Sequence, residues 1–385
     1  MSYPPLGESW PLPSRTEIGL DHRGVSAWDL LLSAEQAALA LPKPTAKYQD
    51  KLIAVRLIGW FLKDFWDNQR DTAYSRLLLE INSCNRGSES VGEAERLQES
   101  HVKVFTLGLD LRNHLIRVFY ARTDRTPTPS AHASRPSYEK HRADILNDMA
   151  NVRPDEGRTH SQAKGDALLR DGYKCVVTGL YDTATVSNFP EVRAKAKQEG
   201  VTHMYTQVAH LFSASAQSHP DYAASAMAIL KMFGLESSVN KLIGKRVNNL
   251  WNVMTLCLPL HKAFDEFLFW LEAVPGEEDT YDVVARDPGL FFDSALTIPR
   301  KVKFSIDPQA VTDCSRNNIP LELPDPELMA MRAACARVAA MSGAADQFRL
   351  LMQDRDDAEM LTDTTVSLLD SLLRTLPVGA VDVGA

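Results

Sequence analysis

The stretch "NNLWNVMTLCLPLHKAFDEF" (residues 248–267) holds an Asn, then an apolar run, then His261 and Asp265 four residues apart. With a helix starting near Pro259, positions 261 and 265 are i and i+4 and project from one face. An imidazole and a carboxylate side by side can grip one divalent ion. They can equally form a His–Asp hydrogen bond that ties the helix to its neighbours. A second histidine, His210, ends the strand-like run "TQVAHLF", and Asn252 precedes the run "VMTL". An unperturbed imidazole titrates near ~6.5, so around neutral pH much of it is available to accept a proton. Taken singly, His210 reads as a hydrogen-bonded core histidine and Asn252 as a turn residue. In this order they read as a strand with a His, a strand with an Asn, then a helix with a paired His and Asp: a ββα unit.

The elements that must position these residues are legible in outline. Apolar spacing is helical over 27–40, 48–82 and 92–120, and "DKLIAVRLIGWFLKDFWDNQRDTAYSRLLLEI" carries the broad stripe of a packed helix. "RTDRTPTPSAHASRPS" (122–137) reads as a linker, since its prolines and hydroxyl residues cannot build a core. A short helix is expected over 138–150, and another ends in "ALLRDGYK". "KCVVTGLYD" reads as a strand stopped by Thr-Gly, and 201–212 as a second strand. "PDYAASAMAILKMFG" predicts a helix, and "FLFWLEAVP", "TYDVVARD" and "RKVKFSID" short strands. Helices return in "PDPELMAMRAACARVAAMSGAADQF" and "AEMLTDTTVSLLDSLLRTL". The expected class is α+β, a small centre between mainly helical N- and C-terminal regions. The expected divisions are 1–121, a linker at 122–137, a core at 138–285 with an insertion at 211–248, and 286–385.

The set "RDGYKCVVTG…AHLF…LWNVMTLCLPLHKAFDEFLFWLE" resembles the HNH nuclease family with its ββα-metal core, and especially the fungal HNH branch. The resemblance runs over roughly 160–347. It implies that His210 is the general base, that Asn252 fixes the loop or orients the base, and that His261 is a metal ligand with Asp265 as a second. It implies Mg²⁺ or Mn²⁺, with Zn²⁺ as the alternative, and hydrolysis of a nucleic-acid backbone, DNA or RNA. Many relatives place an Asp or His ligand just before the base, whereas here that position is Ala209. His203 is a candidate to complete the shell. Two rival readings stay open: an HNH-derived module that binds nucleic acid or protein without cutting, and a metal site turned to a small-molecule substrate.

Charge narrows the partner. The 385-residue chain carries a formal −8, so any nucleic acid must meet a local basic surface. Residues 161–270 hold eleven basic and nine acidic residues, a mild excess against the acidic remainder. Within them "KLIGKRVNN" supplies Lys241, Lys245 and Arg246, which can meet phosphate or form a solvated loop. "EVRAKAKQEG" reads as a solvated helix face. The aromatics Phe264, Phe267 and Trp270 have helix-like spacing and read as core beneath the His/Asp helix. Five scattered cysteines without a C-x-x-C pair predict neither a disulfide framework nor a zinc ribbon. "MSYPPLGESWPLPSR" has no apolar leader, and no apolar run reaches ~18 residues. The expectation is a soluble protein of the cytoplasm or nucleus.

Overall fold

The computed structural model describes residues 3–42, 45–85, 92–120, 140, 159–213, 220–317 and 321–359. The fold is α+β, with many helices and three small sheets. Among the described residues no helix is long and apolar enough to cross a membrane. The linker expected at 122–137 lies outside the described residues, as do the helix expected at 138–150, apart from Lys140, and residues 360–376 of the last expected helix.

The chain divides into two compact units, one holding Pro4–Arg112 and the residues from Val338 onward, the other Asn113–Pro127 and Pro136–Arg337. The first unit contains α1 (His22–Leu39), α2 (Ala46–Asp67), α3 (Asp71–Cys84) and α4 (Glu93–Asp110). The run expected to be one helix over 48–82 is two. Asn68 caps α2, and Gln69 turns the chain with a φ of 54°, a left-handed conformation that no continuous helix can hold. Trp28, Leu31, Phe61, Phe65 and Ile81 form the buried core. Helices α2 and α4 come so close at Gly108 that a Cβ there would sit 2.2 Å from the Ala54 carbonyl oxygen, which only glycine permits. Two buried ion pairs join helices here, Arg56–Glu35 at 2.6 Å and Arg112–Asp50 at 2.5 Å. A π-helical turn, Leu111–Ile116, carries the chain on from α4 to Phe119.

Within the second unit, α5 (His160–Arg170) begins in a capping box between Thr159 and Gln162. The segment 175–180, expected as a strand, is a tight turn instead: the Gly179 N–H donates to the Cys175 carbonyl and the Cys175 N–H to that of Leu180, both at 2.9 Å. Gly179, with φ 71°, permits that reversal. Next come β1 (Tyr181–Asp182), α6 (Thr183–Asn188), α7 (Pro190–Glu199), β2 (His203–Met204) and β3 (Thr206–His210). The expected insertion contains α8 (Pro220–Met232), buried along nearly its whole length, and α9 (Glu236–Leu242). Then follow β4 (Val253–Cys257), α10 (Leu258–Asp265), β5 (Phe269–Ala273) and β6 (Thr280–Ala285). After α11 (Pro288–Phe292) and β7 (Lys301–Lys303) the chain is helical again in α12 (Pro308–Asn317) and α13 (Pro326–Ser342). Gly343, with φ 84°, separates α13 from α14 (Ala344–Glu359), where one run had been expected.

Strands β3 and β4 pair antiparallel with His210 opposite Val253 and Thr206 opposite Cys257. Helix α5 packs on this ladder through Ala167, Val208, Leu250 and Val253. Strands β5, β6 and β7 form a separate antiparallel sheet. Trp270 lies in β5, within the run "FLFWLEAVP" expected as a strand, whereas Phe264 lies in α10. The helix stops at Asp265 because Phe267, at φ 54°, reverses the chain. All three aromatics are nonetheless buried.

Candidate active site

The ββα unit expected from residue order is present as β3, β4 and α10. Its sequence explains it. "TQVAH" and "VMTLC" are rich in residues that suit a buried pleat, and Pro259 at the start of α10 fits where a missing N–H costs nothing.

His210 closes β3 and is 9% exposed. Its Nε2–H donates to the Asn248 Oδ1 at 2.9 Å, which leaves Nδ1 without a partner among the described residues. Burial is the main force on this imidazole and lowers its pKa to about 4. The bond to Asn248 works the other way, and the nearby His160 and His261 push it further down. His210 is therefore neutral near pH 7.

Asn252 is completely buried and has a different task. Its Nδ2 donates to the Phe212 carbonyl at 2.9 Å and the Val247 carbonyl at 2.7 Å, while its Oδ1 accepts from the Phe212 N–H at 2.9 Å. The Leu211 N–H donates to its backbone carbonyl at 2.8 Å. One side chain thus fastens the exit from β3 to the approach to β4.

His261 and Asp265 share one face of α10, with Nδ1 and Oδ2 3.6 Å apart. That is beyond hydrogen-bond length but within ion-pair range. The histidine is one-fifth exposed, whereas the carboxylate is buried. His261 is close enough to act on the charge of His210. His203 is not brought to this place. It sits on β2, before the start of β3, exposed, with Nδ1 3.1 Å from the Thr183 hydroxyl.

Among the described residues no group of three or more His, Cys, Asp or Glu side chains converges to hold a metal. One imidazole and one carboxylate are two donors, so an ion held by them would take most of its shell from water or substrate. Such a pair does not fit an enclosed tetrahedral zinc site. Of the basic residues, Lys241 lies in α9 with its ammonium 3.0 Å from the Asp325 carboxylate and over the Trp251 ring. Arg246 lies in the 3-10 turn Gly244–Asn248, half-buried, and the side chain of Lys245 lies outside the described residues.

Sequence reasoning missed several residues. Asn248 was within the quoted stretch, but nothing local distinguishes it from Asn249 or Asn252. His160 stacks on His210, ring centroids 5.8 Å apart at 27°, from a helix fifty residues earlier. Arg170, fully buried, donates to the carbonyls of Leu250 at 2.8 Å and Val253 at 3.0 Å, and pairs with Asp171 at 2.7 Å. Asp171 in turn accepts from the Thr255 N–H at 3.0 Å. The Arg170–Asp171 pair that opens "RDGYK" thus clamps β4.

Thiols sit side by side beneath the turn. Cys175 and Cys257 are free, buried and hydrogen-bonded to each other. The contact with Cys175 and burial push the Cys257 thiol well up, whereas Cys175 is lowered, against burial, by contacts with Cys257 and Thr178.

No curated protein and no solved structure matches the chain. Residues 175–272, from the turn before β1 through α10 and into β5, match the family model described as HNH endonuclease.

Proposed function

We propose that this chain is a metal-dependent phosphodiesterase of HNH type that hydrolyses a nucleic-acid backbone, with His210 as general base. The observation that carries the reading is the orientation of His210. With Nε2–H held by Asn248, Nδ1 is the nitrogen that takes the proton from an attacking water. Burial keeps the imidazole neutral and ready, at the expense of basicity. A phosphodiester anion seated beside it stabilises the imidazolium formed on proton transfer. Asn252 holds the turn that sets the height of His210 on the ladder. Lys245 and Arg246 meet backbone phosphate, and Lys241 reaches it by leaving Asp325.

His261 with Asp265 would hold Mg²⁺ or Mn²⁺, water and phosphate oxygens completing the shell. Bound there, such an ion would supply neutralisation of charge on the phosphate and the departing 3′-oxygen.

A second reading, an HNH-derived module that binds without cutting, is favoured by Ala209 at a usual ligand position and by the ion pair already formed by Lys241. The experiment that separates the two is cleavage of supercoiled plasmid, single-stranded DNA and RNA with Mg²⁺, Mn²⁺, Zn²⁺ or chelator, with His210→Ala as control. Metal-dependent cleavage lost in that variant supports the nuclease. No cleavage and no bound metal supports the binding module, and bound metal without cleavage points to a small-molecule substrate. Calorimetry assigns the ligands: His261→Ala abolishes tight metal binding and His210→Ala spares it, and equal affinity in the two variants sinks that assignment.

A further inference from the structure

Arg332, in α13, lies outside the segment that matches the HNH family, and none of its contacts is foreshadowed by a motif. It is 1% exposed. One terminal nitrogen donates to the carbonyls of Phe119 and of Leu211, the latter at 3.2 Å, and the other donates to that of Phe264 at 2.6 Å. The guanidinium lies on the Phe264 ring, 3.7 Å from its centroid, with Phe267 at 5.3 Å. Burial lowers its pKa to about 10 and the Asp265 charge partly offsets this, so it stays a cation at neutral pH.

Two of the three carbonyls matter by position. Leu211 directly follows His210, and Phe264 directly precedes Asp265 in the last turn of α10. The base and the His261/Asp265 pair sit on different elements, so their separation is set by whatever ties the end of β3 to the end of α10. A planar fork with nitrogens held at fixed spacing does this, whereas a single ammonium on a flexible stem cannot reach several acceptors with one geometry. A buried cation costs several kcal/mol unless it is well paired; here carbonyls and aromatic faces meet the two terminal nitrogens, and Nε has no hydrogen-bond partner among the described residues.

We propose that Arg332 is a positioning residue of the hydrolytic site, fixing the distance between His210 and the His261/Asp265 pair by bracing the carbonyls of Leu211 and Phe264. This rests on the nuclease reading above. Displacing reacting groups by about 1 Å can cost on the order of 10²-fold in rate. A brace that acts on spacing shows in kcat and leaves both substrate affinity and the ligand pair, which lies within one helix, as they were.

The test uses the full chain with Arg332→Lys, normalised to the folded fraction by near-ultraviolet circular dichroism. Plasmid cleavage gives kcat and KM, and calorimetry gives Mn²⁺ affinity. The expected result is a fall in kcat of about tenfold or more, with KM and Mn²⁺ affinity within about threefold of the parent. A lysine variant with a lower melting temperature but unchanged kcat per folded molecule overturns the proposal, because Arg332 is then merely structural. Loss of Mn²⁺ binding in step with kcat also overturns it, since the ligand pair itself has then been lost. If the lysine variant does not fold, Phe264→Leu takes its place, removing the aromatic face under the cation while keeping its acceptors. A fall in kcat of about threefold or more supports the proposal and an unchanged kcat overturns it. Failure of the nuclease reading looks different: the parent protein does not cut, and Arg332 then has no reaction to serve.

Discussion

The ring of His160 lies against the ring of His210, centroids 5.8 Å apart and planes inclined by 27°. His160 is exposed and leads α5, whereas His210 is buried at the end of β3. The outer imidazole therefore covers one face of the inner one. His160→Ala should uncover the base, ease the repulsion that helps keep it neutral and leave the ring less well held, with single-turnover cleavage slowed about tenfold. An unchanged rate would remove His160 from the site.

Asn248 supplies an acceptor that fixes the tautomer of His210. Asn248→Ala should cost about 10²-fold in kcat while leaving the fold intact, because the ring loses its anchor but no core volume. Asn248→Asp should restore much of the rate and move the acid limb of the pH profile upward, since a carboxylate favours the imidazolium. An aspartate variant as slow as the alanine one would show that orientation is not what Asn248 provides.

The depressed pKa of His210, about 4, has a clear sign in solution. The base form is complete above that value, so kcat/KM should not fall between pH 7 and pH 5 on account of this residue. Stability shifts the same way: the unfolded imidazole binds its proton near ~6.5, so acidification from 6.5 towards 4 favours the unfolded chain. An NMR titration of the His210 ring that showed a midpoint above 6 would contradict this.

Asn252 makes three side-chain hydrogen bonds in complete burial. Asn252→Ala should destabilise the protein by about 2–4 kcal/mol, because it strands carbonyls and an N–H that water cannot reach. Urea unfolding measures this, and a loss under about 1 kcal/mol would mean the turn is held by something else.

Asp21 caps α1 and its pKa is shifted the same way for a different reason: here the charged form is the one the fold favours. Burial alone would raise its pKa, but the Tyr74 hydroxyl at 2.7 Å, Arg23 at 2.6 Å and the Gly24 N–H at 3.0 Å outweigh it and bring it to about 2. Its contribution to stability is complete above the ordinary carboxylate pKa and fades as pH falls from about 4 to 2. Tyr74→Phe should make that loss smaller and complete at a higher pH, because it raises the folded pKa and leaves the unfolded one unchanged, as thermal melts across the range would show.

The ββα order was readable because His210, Asn252, His261 and Asp265 each mark one element, and the elements follow one another at short range. The pitch of α1 and α2 was readable for the ordinary reason that an apolar stripe repeats. Reversals hid better. Gln69 adopts a left-handed backbone that its side chain does not advertise, so one long helix became two. The "KCVVTG" run has the composition of a strand but spends its hydrogen bonds on a turn. Within the site, the partner of His210 was hidden among three asparagines, and the stacking of His160 depends on a crossing of elements that no spacing encodes.

Arg170 and Arg332 lie on either side of the matched segment 175–272, yet four of the carbonyls they bind, those of Leu211, Leu250, Val253 and Phe264, lie inside it. The portion that similarity marks out is thus smaller than the portion that can be inherited whole. A recombination event, or a fragment cut at 175 and 272, would carry away the acceptors and leave both cations behind. Swapping this domain between proteins therefore succeeds only with breakpoints before α5 and beyond Arg332.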